Sequence, residues 1–104
     1  MYHVKHDVIM CGVKRIMQPA IDACIEVYND FGYELTITSG TDGVGIHKEK
    51  SKHFIGEAID TRTHIFHNVN EKKVVFRALR EKLGCGYLII SESTHFHIQT
   101  ATVR

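Results

Sequence analysis

An α+β fold, with helices packed on a mostly antiparallel sheet, is what this 104-residue chain predicts. Three observations carry it. Two stretches place apolar side chains at helical spacing along one side. Four other stretches have strand character, and the last two are separated only by a short turn at Glu92 and Ser93. The order is helix, strand, loop, strand, helix, strand, strand, which favours hairpin pairing over a succession of parallel crossovers.

Residues 16 to 31 bring Ile16, Met17, Ala20, Ile21, Cys24, Val27, Tyr28 and Phe31 to one helical face. Pro19 suits the first turn, where its missing N–H costs nothing, and Gly32 suits the position just past the end. "YELTITSG" alternates and is β-branched, so residues 33 to 39 are expected as a strand. Residues 40 to 56 are polar and glycine-rich and predict a long loop, a length that usually serves a function. "EAIDTRTHIF" returns to strand character. In "NVNEKKVVFRALREKLG", Asn68 and Glu71 have capping-box spacing. Val74, Val75, Ala78, Leu79 and Leu83 then form an apolar side, and Gly84 marks the stop. "YLIIS" and "HFHIQT" read as a terminal hairpin.

The length fits one domain, residues 1 to 104. With 43% apolar and 24% charged residues the chain is globular in composition, and a net charge of +1 gives no bulk attraction to nucleic acid or to an acidic membrane. No segment approaches the roughly 18 apolar residues of a membrane span, and no signal peptide is visible. Cytoplasmic synthesis is therefore expected. Cys11, Cys24 and Cys85 form no C-x-x-C pair and read as small buried thiols in a reducing compartment.

Histidine is the anomaly, with eight in the chain. His53 precedes Asp60 by seven positions, and Gly56 between them lets the backbone fold back. Asp60 shares a strand face with Ala58, whose small side chain leaves room beside it. His95 and His97 project from one face of the last strand, while Phe96 and Ile98 turn to the core. One or both of these histidines can face the same cleft as Asp60 if the two strands are neighbours. Two imidazoles and one carboxylate fill three corners of a tetrahedral zinc site and leave the fourth open to water. Zinc in such a set lowers the pKa of that water to roughly 7 and polarises a substrate carbonyl. A proton carrier must stand nearby.

"TITSGTDG", "SKHFIGEAIDTR" and "HFHI" resemble segments of the zinc D-Ala-D-Ala carboxypeptidases and L-alanyl-D-glutamate peptidases of the hedgehog/DD-peptidase fold, above all their short phage-encoded members. The resemblance spans residues 34 to 99. Ser51, His53, Gly56, Ala58 and Asp60 fit the family's S-x-H-x-x-G-x-A-x-D motif, and His97 fits its distal ligand. The resemblance implies one zinc ion per chain, held by His53, Asp60 and His97, and hydrolysis of a peptide bond in the peptidoglycan stem. It sets "TSGTDG" along the substrate cleft, which makes Ser39 and Asp42 candidate substrate-binding residues, although shaping the loop through local hydrogen bonds is the favoured role of both. Arg62 stands where an arginine recurs in the short members and is a candidate for holding a substrate carboxylate. Its other reading is an ion pair with Asp42 or Glu57. His47 is a candidate cleft residue or a surface histidine. His64 and His67 receive no role, and Glu57 is expected to be solvated.

The family's acid, three residues before the last histidine, is replaced here by Thr94. Two candidates remain for the proton, Glu92 and His95. The expectation is a monomeric zinc peptidase with a peptidoglycan peptide as its partner, reaching the cell wall after phage-mediated release. The alternative is a zinc-stabilised cell-wall-binding module whose catalysis has lapsed. Zinc or another divalent ion, and an end-on or internal bond, remain open.

Overall fold

The first apolar stripe winds into helix α1, Gln18–Asp30, in a computed structural model that describes residues 2–6, 8, 10, 13–40 and 56–101. A 3-10 turn, Arg15–Met17, leads into it, with Pro19 in the first α-helical turn. The stripe therefore starts at Met17, and Ile16, expected on the buried face, is exposed. Gly32 follows with φ of 85°, a left-handed conformation that favours glycine at a helix end.

The second stripe forms α2, Val69–Leu83. Asn68 caps it, its Oδ1 accepting the Glu71 amide at 2.8 Å. The Glu71 carboxylate reaches back to the His67 amide at 2.9 Å, one residue earlier than the reciprocal bond of a capping box. Asn68→Ala should cost about 1 kcal/mol, measured by chemical denaturation, because that amide loses its acceptor. Val75, Leu79 and Leu83 are buried, but Val74 is 51% exposed and lies off the stripe. Gly84, with φ of 71°, ends the helix as expected.

Among the described residues, five strands make one sheet in the order β1-β2-β3-β5-β4. They are β1 His3–Val4, β2 Thr36–Ser39, β3 Ala58–Arg62, β4 Tyr87–Ser91 and β5 His95–Thr100. β1 runs parallel to β2, and every other pairing is antiparallel, so the sheet is mixed but mostly antiparallel. At two residues β1 is too short to carry an alternation, and nothing in the sequence marks it. The strand expected over residues 57 to 66 ends at Arg62. Beyond it the Thr63 amide bonds to the Thr94 carbonyl, and the chain turns so that Phe66 packs on Tyr28, Tyr33 and Phe96. The terminal hairpin forms as expected, closed by the Glu92 amide on the His95 carbonyl at 2.9 Å.

Ile37, Ile59, Ile89, Phe96 and Ile98 belong to one sheet face and join both helices in a single core. Tyr28 crosses that core. Its hydroxyl donates to the Arg62 carbonyl at 2.7 Å and lies 3.0 Å from the Thr61 hydroxyl, tying α1 to the end of β3. Glu57 corrects an expectation: it is 0% exposed. Lys14 Nζ and the Thr100 hydroxyl, each 2.9 Å from its carboxylate, supply the partners a buried charge requires. The radius of gyration, 12.7 Å, is that of a compact domain. Of the thiols expected to be buried, Cys24 is, whereas Cys85, in the 3-10 turn after α2, is exposed, and Cys11 lies outside the described residues.

Candidate functional site

With the helices covering one sheet face, the residues that alternate away from the core collect on the other. The β3–β5 register sets Asp60 opposite His97 and Arg62 opposite His95. Residues directly opposite in an antiparallel pair share a face. All four side chains therefore stand together, while their neighbours Ile59, Thr61, Phe96 and Ile98 are fully buried on the core side. The apolar-polar alternation of these two strands is thus the local cause of the site.

His97 Nδ1 lies 3.0 Å from Asp60 Oδ1, and His97 Nε2 lies 2.8 Å from Gln99 Oε1. His95 Nε2 is 3.6 Å from the other Asp60 oxygen, and its Nδ1 lies 3.1 Å from the Thr94 hydroxyl. Burial pulls the His97 pKa down, but its hydrogen bonds to Asp60 and Gln99, with the charges of Asp60 and Glu92, outweigh this and raise it above the ordinary value. An imidazole with an oxygen at each nitrogen favours a cation, either its own second proton or a metal ion in place of the Nδ1 proton.

That arrangement bears on whether zinc suits these residues. Zinc ligands sit about 2.0–2.2 Å from the ion, so two donors on one tetrahedral ion stand roughly 3.3 Å apart. The 3.0 Å between Asp60 and His97 is near that spacing. Gln99 supplies the acceptor that a metal-ligating histidine needs at its other nitrogen. The donor chemistry therefore fits. Among the described residues no set of three His, Cys, Asp or Glu side chains is arranged to hold a metal. The third expected ligand, His53, lies outside the described residues, as do Asp42 and His47.

Beside Asp60 opens a pocket of about 290 Å³, lined by Lys5, Thr38, Asp60, Arg62, His64, Thr94 and His95. Arg62 and His95 are among the lining residues. Ser39 does not: it is buried opposite Asp60, and a bulge between Ile37 and Ser39 turns Thr38 toward the pocket instead. Glu92, at the hairpin turn, is exposed and is not among the lining residues. Its carbonyl accepts from Lys72 Nζ.

Lys5, Thr38, His64 and Gln99 escaped the sequence reading. Gln99 was within reach of it, because a period of two puts residue 99 on the face of residue 97. Thr38 depended on a bulge, Lys5 on a two-residue strand, and His64 on a turn where a strand had been expected. No protein-family model matches this chain, and no curated protein matches it.

Proposed function

We propose that the chain is a monomeric zinc-dependent peptidase of the hedgehog/DD-peptidase fold that cleaves peptidoglycan stem peptides, acting on the cell wall after phage-mediated release. The observation that carries this reading is the juxtaposition of Asp60 with His97, 37 residues apart in sequence and 3.0 Å apart in space. These are two of the three residues that the motif resemblance names as ligands, and the third is His53.

His53, Asp60 and His97 would hold the zinc, which when bound supplies a Lewis acid for the scissile carbonyl. The chain's own groups do the rest. Gln99 orients His97 from its far nitrogen. His95, anchored through Nδ1 by Thr94 and facing Asp60 through Nε2, is better sited than Glu92 to hold and pass a proton. Lys5 and Arg62 give the pocket two cations for a carboxylate of the stem peptide.

Metal analysis with a hydrolysis assay tests this. Purified chain should carry about one zinc, in line with a single site. It should cleave a stem pentapeptide or the intact peptidoglycan sacculus, and EDTA should abolish the cleavage. Absence of zinc would overturn the reading.

The Thr94–His95 contact favours a second reading, because a hydroxyl occupies the place where the resembled family has its acid. In a lapsed, zinc-stabilised module, metal supports folding and retains cell-wall binding with no bond cut. Stoichiometric zinc and sacculus binding without any hydrolysis would select it.

A further inference from the structure

The far edge of the sheet carries a second surface, independent of the peptidase reading. β4 is an edge strand, paired only with β5 among the described residues. Its free side can be identified. The Glu92 amide bonds to the His95 carbonyl, and the Ala101 amide to the Gly86 carbonyl. Antiparallel pairing alternates, so residues 88 and 90 also bond toward β5, and the N–H and C=O groups of Tyr87, Ile89 and Ser91 point outward. Strand residues Tyr87–Ser91 bear no charge, so the usual protection of an edge by charged side chains is missing.

Beside this edge lies a groove of about 430 Å³ between α2 and Ser91. Phe76 forms part of its apolar wall, and Lys72, Lys73, Arg77 and Arg80 line it with no acidic residue among them. In a chain of net charge +1 this is a local excess. On the opposite sheet face, Leu88 and Ile90 are 46% and 39% exposed. The two sides of the edge thus differ: cations on the helix side, apolar side chains on the open side.

We propose that β4 and the α2 groove bind an extended acidic polypeptide segment, which adds to the sheet as a sixth strand. Its alternate side chains would be acidic toward α2 and apolar toward Leu88 and Ile90. Charge selects this occupant over a second copy of the chain. Two β4 edges paired about a two-fold axis would bring two sets of groove cations together, and like charges so placed repel. A phosphate polymer would meet the cations but would leave the outward amides and the apolar face unused.

The test uses the full chain and a fluorescein-labelled octapeptide of alternating Glu and Val, read by anisotropy. Saturable binding that weakens with salt is expected. Lys73→Glu with Arg77→Glu, both at exposed positions and checked for fold by circular dichroism, should weaken it about tenfold or more, because opposed charges become like charges. Two N-methylated versions of the peptide, one methylated at every Glu nitrogen and one at every Val nitrogen, separate strand addition from simple charge attraction. Only one set of nitrogens can face β4, so one version should lose about tenfold or more in affinity while the other keeps it. Equal binding by both, tighter binding of polyphosphate than of peptide, no effect of charge reversal, or a dimer of the free chain at micromolar concentration would each overturn the proposal.

Discussion

Asp60→Ala should lower zinc affinity by more than about 100-fold and reduce stem-peptide hydrolysis to background, since loss of an outer-sphere partner alone typically costs 10–100-fold. The residue is 6% exposed, opposite His97 in the ladder, and one of its oxygens lies 3.0 Å from the His97 ring. Retention of tight zinc binding by this variant would remove the proposed centre. A pH series on chelated protein gives a readout that needs no metal. The His97 pKa is raised above the ordinary value of 6.5 despite burial, because Asp60 and Gln99 accept from it. A group whose pKa is higher folded than unfolded adds stability below its unfolded pKa, and that stability fades as pH rises through the folded pKa. The stability gap between the parent and Asp60→Ala should therefore be wider at about pH 5.5 than at about pH 8.5. A gap that does not change with pH would mean that Asp60 does not act on His97 through charge.

The reach of the sequence follows from which interactions are local. Asn68 with Glu71, Pro19, Gly32 and Gly84 act within a turn of their own positions, and both helices end where these residues direct. Alternation along residues 95 to 98 fixed which side chains face the core, and the site face followed once β3 and β5 were neighbours. Glu57 shows where that reasoning stops. A glutamate beside polar residues reads as solvated, and the arrival of Lys14 and Thr100, each 43 residues away in sequence, makes its burial affordable. The two-residue β1 and the bulge in β2 likewise depend on pairing partners, and Lys5 and Thr38 depend on both. The proximity of Asp60 to His97 was within reach of strand alternation once β3 and β5 paired, whereas the anchoring of His95 by Thr94 is a matter of rotamer and contact that no spacing encodes.

Phe96→Ala should have the largest effect on stability, about 3–5 kcal/mol, a range set by the cavity left when a buried phenyl ring is removed. Phe96 is 0% exposed, and its ring meets those of Phe66 and Phe76, with centroids 6.2 and 5.6 Å away. The Lys72 ammonium stands 5.9 Å from its centroid. It thus joins the turn after β3, α2 and the last strand. In a domain whose total stability is on the order of 5–15 kcal/mol, this loss should lower the melting temperature by roughly 15 °C or more. Phe96→Leu keeps most of the volume and should cost clearly less. The position also separates fold from chemistry, because Phe96 lies between His95 and His97 but points to the other face. At low temperature, where the variant is still folded, zinc affinity should stay within about tenfold of the parent, for no ligand has been removed. Asp60→Ala should do the reverse, losing the metal while the chelated chain keeps most of its stability near neutral pH. If Phe96→Ala abolished zinc binding in chain that circular dichroism shows to be folded, the two faces of β5 would not be separable. The site would then depend on core packing rather than on strand register.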